Sequence, residues 1–153
     1  MNLEQLFDLA PHGPDVFVGE GHEYPWGGLF GGHIVAQALR AAAYTVSPDL
    51  LPHSLRAYFI RRGDNTQPVR YEVDRIRDGK SFTTRRVVAR QQDGAILNLE
   101  ASFQVQEDSL NEQLVHPQPD LPLPDLIEES SWSTFLERRT IPATAVRGVN
   151  RQG

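Results

Sequence analysis

The chain has 153 residues, 39% hydrophobic and 23% charged, enough to bury one core with an extension but cramped for two full domains. Its formal charge of −5 argues against nucleic acid as a bulk electrostatic partner, and its positive charge is almost all arginine, Lys80 being the only lysine. Cysteine is absent, which removes disulfides and thiolate chemistry, and no apolar run approaches the roughly 20 residues that span a bilayer.

The N-terminal stretch is amphipathic and acidic rather than signal-like, so a soluble, cytoplasmic protein is expected. Val16-Phe17-Val18-Gly19 reads as a strand, and a loop rich in glycine and aromatics follows from Gly21 to Phe30. A helix comes next. Ile34, Ala38, Ala42 and Val46 recur every fourth residue beside Val35, Leu39 and Ala43, an alanine-rich stripe that allows close approach to a sheet, and Ser47-Pro48 ends it. Gly31 and Gly32 stand where this helix begins. Its unpaired amides suit a developing carbonyl oxyanion or a phosphate, whereas close packing in a curved sheet asks for the same glycines; both readings stand at this point.

From His53 the period changes to two. A strand over Ser54–Arg61 is followed by three antiparallel strands near 69–77, 81–91 and 95–106, separated by Asp78-Gly79 and Asp93-Gly94 as two-residue hairpin turns. Such turns put Tyr71, Val73, Phe82, Thr84, Arg86, Val88, Leu97, Leu99, Ala101 and Phe103 on the helix-facing side. Glu72, Asp74, Thr83, Arg85, Asn98 and Glu100 take the polar side, with Glu72 opposite Arg85 as an ion pair. Arg86 is out of place on an apolar face, so it is buried with a partner, reaches the sheet edge, or marks a slip of register.

Beyond Glu107 the alternation stops. Residues 108–125, including His116-Pro117-Gln118-Pro119-Asp120-Leu121-Pro122-Leu123-Pro124, read as a proline-rich linker, and Leu126–Arg138, with Trp132, Phe135 and Leu136, as a short helix before a tail to residue 153.

The chain resembles the type II, TesB-like acyl-CoA thioesterases. The matching words are Leu29-Phe30-Gly31-Gly32-His33-Ile34-Val35-Ala36-Gln37-Ala38-Leu39 and Pro52-His53-Ser54-Leu55-Arg56-Ala57-Tyr58-Phe59-Ile60-Arg61-Arg62-Gly63-Asp64. Arg77-Asp78-Gly79-Lys80-Ser81-Phe82-Thr83-Thr84-Arg85-Arg86-Val87 and Glu100-Ala101-Ser102-Phe103-Gln104 follow in the family's order. The resemblance implies an α+β fold, a single hotdog domain over residues 1–107 in which an antiparallel sheet wraps one long central helix, with the proline-rich C-terminal extension after it. It implies hydrolysis of acyl-CoA to free fatty acid and coenzyme A, no cofactor, and pairing with another hotdog, as a homodimer or with a separate domain. Members usually carry two hotdogs, and only the first is matched. Residues 126–153 are therefore also readable as the start of a second hotdog, and the chain as a truncated thioesterase or a non-catalytic acyl-CoA-binding half. The family's water-positioning aspartate, threonine and glutamine lie in that second domain. Overlaying their pattern here reaches Gly32 or His33, Leu50 and Ser102, none of which matches.

Candidate catalytic residues are thus His53, at the head of a strand and the better base if the chain acts alone, and His33 in the first helical turn. Gly31, Gly32, Arg61 and Arg62 are the candidate substrate-binding residues, the arginines as partners of coenzyme A phosphates or as a solvated edge. Asp64 most simply satisfies a turn. His12, His22 and His116 have no metal-ligand spacing, so no metal site is expected.

Overall fold

Six segments pair into one antiparallel sheet: β1 (Ala10–Pro11), β2 (Val16–Gly19), β3 (Leu50–Phe59), β4 (Val69–Asp78), β5 (Phe82–Gln91) and β6 (Gly94–Val105). This arrangement comes from a computed structural model of the chain, which describes residues 3–115, 122–133 and 136–142. The strand order is β1-β2-β4-β5-β6-β3, which leaves β3 as an edge. Two helices accompany the sheet, α1 (Leu3–Leu6) and α2 (Gly31–Ala43). The chain divides into two units, Met1–Glu107, which holds the sheet and both helices, and Asp108–Gly153. No helix among the described residues is long and apolar enough to cross a membrane.

The alanine stripe does what its small side chains allow. Ala38, Ala41 and Ala42 of α2 lose all solvent exposure, as do Tyr71, Val87, Ala89, Leu97 and Leu99 of the strands, and all belong to one hydrophobic cluster. Each buried leucine contributes about 2 kcal/mol of transfer free energy, so the three central strands carry most of the core. Val35, Leu39, Ala43 and Val46 pack against it partly buried.

The register departs from expectation in β5. Asp78 pairs with Thr83, and a bulge at Ile76 shifts the ladder again, so Tyr71 faces Ala89 and Glu72 faces Val88. Thr83, Arg85, Val87 and Ala89 therefore turn inward, and Phe82, Thr84, Arg86 and Val88 turn outward, the reverse of the expected faces. The register slip is thus the answer for Arg86, whose guanidinium pairs with Asp74 on the outer face. Glu72 is bonded not to Arg85 but to Arg70 and Arg90. Tyr71, Val73, Leu97, Leu99, Ala101 and Phe103 are buried as expected. The second turn falls on Gln92-Asp93, with Gly94 at φ 109° opening β6, and β3 begins at Leu50 rather than Ser54.

In the second unit the expected helix over Leu126–Arg138 does not form among its described residues. A three-residue 3₁₀ turn, Pro124–Leu126, gives way to extended Ile127, and Glu129 bridges Arg139 in antiparallel fashion. The hydroxyls explain the preference. Ser131 Oγ accepts from the Arg138 amide at 2.8 Å and Ser130 Oγ lies 3.2 Å from Thr140 Oγ1, so these side chains serve a hairpin rather than a helix. Phe135, and His116–Leu121 of the expected linker, lie outside the described residues.

Candidate functional site

The glycines at the start of α2 are filled by aromatic rings. A side chain on Gly31 would lie 3.0 Å from the Phe59 ring, and one on Gly32 would lie 2.6 Å from the ring of Phe30, the extended residue that caps the helix. Close packing against these rings asks for a residue without a side chain at both positions. No side chain caps this helix end.

His33 is buried, and its Nδ1 lies 3.1 Å from the Tyr24 hydroxyl. Burial pushes the imidazole down to about 4, with the neighbouring His22 adding to the effect and the Glu20 carbonyl opposing it. Burial also pushes the Tyr24 phenol up to about 12, so the hydroxyl stays protonated in its hydrogen bond with Nδ1. The other ring nitrogen, Nε2, is buried and makes no hydrogen bond. An enclosed imidazole whose protonated form is disfavoured by burial is a poor general base. One turn further on, buried Gln37 donates to the Leu6 carbonyl at 2.6 Å and the Glu20 carbonyl at 3.2 Å, and accepts from the Tyr71 hydroxyl at 2.6 Å. Its role as the tie between helix, sheet and N-terminal segment is invisible in a sequence where it reads as a polar residue on an apolar helix.

Arg61 and Arg62 leave the end of β3 and bind loop carbonyls. Arg61 Nη1 donates to Asp93 O at 2.6 Å and Arg62 Nη2 to Gly27 O at 2.9 Å. Asp64 closes its turn as expected, accepting from the Thr66 amide and hydroxyl and from Gln67, and these bonds hold its carboxyl below the usual range.

His53 lies at the far end of β3, where the pairing with β6 slips between Pro52 and Ser54. Its Nε2 is 2.8 Å from Ser102 Oγ, and its ring meets the Phe82 ring edge-on at 5.8 Å. A hollow of about 300 Å³ beside it is lined by Ser54, Arg56, Thr84, Glu100 and Ser102 among others. Phe59, at the other end of the strand, is the residue that touches Gly31, so roughly 20 Å of strand separates His53 from the helix start. The two candidate histidines are not brought together. Among the described residues no three histidine, aspartate or glutamate side chains converge as metal ligands.

A family model described as the acyl-CoA thioesterase N-terminal domain matches residues 22–104. The chain is 43% identical over 151 residues to mouse acyl-coenzyme A thioesterase 8, covering 97% of this chain and 47% of that protein. It spans 33% to 47% of the length of such curated relatives from human and mouse. Among solved structures, acyl-CoA thioesterase II TesB2 from Mycobacterium marinum superposes with a TM-score of 0.78 at 30% identity, over 98% of this chain and 56% of that one. A hot dog fold protein of unknown function from Alicyclobacillus acidocaldarius gives 0.70 at 22% identity over 84% and 48% of the two chains, a likeness of fold alone.

Proposed function

The chain belongs to the acyl-CoA thioesterase N-terminal domain family, and from that premise we propose that it binds acyl-CoA and hydrolyses the thioester to free fatty acid and coenzyme A as one half of a paired hotdog assembly. The match over residues 22–104 carries the reading. In it, α2 is the central helix that the sheet wraps, and residues 108–125 are the proline-rich extension that follows the hotdog in sequence.

The edge strand supports pairing. Leu55 and Phe59 face the same side of the sheet as their buried partners Ala101 and Leu97, yet are 47% and 60% exposed, together with an unpaired row of backbone groups. A second hotdog, supplied by another copy or a separate domain, covers them. The lack of cysteine is compatible with a cytoplasmic setting in fatty acid metabolism.

Hydrolysis needs a nucleophile, a base and donors for the oxyanion. Of the two histidines, exposed His53 is the one we assign as base, because His33 is neutral, enclosed and bonded to Tyr24. Arg61 and Arg62 keep further N–H groups, beyond those given to loop carbonyls, with which to meet coenzyme A phosphates. Gly31 is half-buried and Gly32 exposed, with the Phe59 and Phe30 rings beside them. The lack of a match to the family's water-positioning aspartate, threonine and glutamine favours the second reading, a non-catalytic acyl-CoA-binding half completed by another domain.

Release of free coenzyme A from medium- and long-chain acyl-CoA by the purified chain decides between them. Thiol release above background is the expected result; tight acyl-CoA binding without it supports the binding half. Neither binding nor release sinks both.

A further inference from the structure

The end of the sheet remote from Phe59 gathers apolar side chains and cations that the fold leaves unused. Gln104 of β6 pairs with Phe82 of β5 on one side and Leu51 of β3 on the other, and directly paired residues share a face. Phe103, next in the chain, is buried in the core, so this row opens on the outer face, away from α2. Arg77 stands opposite Thr84, two residues along β5 from Phe82 and on the same face, and the bulge in β4 leaves Ile76 unpaired beside it. Leu51, Phe82 and Ile76 each keep about half of their surface in water, which makes an apolar patch across the ends of four neighbouring strands.

The charge at this end is one-sided. Arg77, and Lys80 in the turn that leads into Phe82, are exposed and make no ion pair among the described residues. The carboxylates of β4 are engaged, Glu72 with Arg70 and Arg90, Asp74 with Arg86, and Asp78 with the buried Arg85. Glu100 lies on the same face roughly 13 Å back along β6 from Gln104, and exposed Glu107, past the strand's end, pairs with neither cation. The chain as a whole carries −5, so a positive, apolar end differs from the rest of the surface. Nucleic acid offers negative charge without apolar depth. A layer of negative charge over an apolar interior, entered end-on by side chains carried between cations, is how a phospholipid bilayer is built.

We propose that this end of the sheet docks on the surface of an anionic phospholipid bilayer. Phe82, Leu51 and Ile76 enter the headgroup region, and Arg77 and Lys80 meet the negative lipid headgroups. The docking is peripheral and reversible, since three side chains and two cations bind far more weakly than a spanning helix. Phe59 and the start of α2 stand at the other end of β3, roughly 20 Å away, and are left uncovered. The protein is thereby held where long-chain acyl-CoA, itself an amphiphile, accumulates. That consequence rests on the thioesterase reading above, whereas the docking does not.

The test is sedimentation of the purified full chain with sucrose-loaded vesicles, of phosphatidylcholine alone or with about one third phosphatidylserine, at about millimolar lipid. The chain is expected to pellet with the mixed vesicles, to stay in solution with phosphatidylcholine, and to be released by about 0.5 M salt. Arg77→Gln with Lys80→Gln lowers the partition coefficient by about 20-fold. Leu51→Gln with Phe82→Gln lowers it by about 10-fold or more. Far-ultraviolet circular dichroism checks that each variant is folded, and if the apolar pair is not, the charge pair alone decides. Equal binding to the two vesicle types, or none to either, overturns the proposal, as does wild-type binding by the Arg77, Lys80 double variant. Capture on immobilised polyglutamate without vesicle binding also overturns it and assigns the patch to an acidic protein. Thiol release from acyl-CoA without vesicles proceeds at the wild-type rate in the Arg77, Lys80 double variant, so loss of docking and loss of hydrolysis are read separately.

Discussion

The buried guanidinium of Arg85 holds the end of helix α2 through Thr45. Its Nε donates to Thr45 Oγ1 at 2.7 Å and its Nη2 to the Thr45 carbonyl at 2.9 Å, while Nη1 donates to the carbonyls of Arg77 and Thr84. Asp78 balances the charge from the sheet's rim. A cation at a helix C-terminus is favoured by the aligned peptide dipoles, and Thr45 itself donates to the Ala42 carbonyl at 2.8 Å. One side chain of β5 thus satisfies the helix end and the β4–β5 turn at once.

Replacing Arg85 should therefore be costly. Arg85→Met leaves the Thr45 carbonyl and the turn carbonyls without donors, and a loss of about 3 kcal/mol is expected in urea unfolding. Arg85→Lys should recover little of it, because an ammonium cannot reproduce a planar fork that reaches two elements. Thr45→Val, which removes one hydroxyl, should cost about 1 kcal/mol. A stability of Arg85→Lys equal to that of wild type would show that charge alone suffices.

Gly19 is expected to be equally intolerant, for a steric reason. A Cβ there would stand 2.6 Å from Gln37 Oε1 and 2.7 Å from Leu9 Cδ2, and Gln37 is held by its bonds to Leu6, Glu20 and Tyr71. Gly19→Ala should cost about 1–3 kcal/mol. The double variant Gly19→Ala, Gln37→Ala should lose less than the sum of the singles, since removing the amide makes room for the methyl. Strict additivity would place the clash elsewhere.

The faces of β5 alone are reversed, and its composition explains why. Phe82, Thr84, Arg86 and Val88 alternate with Thr83, Arg85, Val87 and Ala89, so either face offers a threonine, an arginine and a valine. Nothing local separates the two, and a single bulge at Ile76 then decides the parity. In β6 the choice is one-sided, with Leu97, Leu99, Ala101 and Phe103 against Asn98, Glu100 and Ser102, and it reads correctly. The site was legible to the same degree. His53 and the glycine pair stand out by type, but the hydrogen-bond partner of His53, Ser102, lies across a strand pairing that only the bulge brings into reach. Tyr24 and Gln37 likewise acquire their roles from contacts distant in sequence.

Enclosure of His33 makes stability depend on pH in a defined window. Its folded value of about 4 lies below the ordinary 6.5, so the native state binds fewer protons than the unfolded chain between those limits. The stability present above 6.5 is thus lost as the pH falls toward 4, at no more than about 1.4 kcal/mol per pH unit. Asp15, held low by Arg75, and Glu72, held low by Arg90 and Arg70, add a loss at more acidic pH that a His33 variant retains. Urea midpoints of wild type and His33→Gln, measured from neutral pH to about pH 4.5, should therefore converge or cross as the pH falls. Parallel curves would mean that His33 is protonated without cost.

The exposed edge of β3 makes the final expectation, on assembly. Leu55 and Phe59 project from the side of the sheet that carries the core, but their outer flank meets no strand of the same sheet. In the pairing proposed above, this flank is buried and its backbone groups join a neighbouring strand. An aspartate at Phe59 then places a charge in an apolar contact without a partner. Phe59→Asp should weaken self-association by about 100-fold or more, the equivalent of the ~3 kcal/mol that an uncompensated buried charge costs. Because Phe59 is an edge residue, the variant keeps its own sheet and should retain the far-ultraviolet circular dichroism of wild type. Sedimentation equilibrium at micromolar concentration reads the outcome: a dimer for wild type and a monomer for Phe59→Asp. A wild-type chain that sediments as a monomer, alone and with acyl-CoA, would rule out self-pairing and leave a separately supplied hotdog as the partner for this edge.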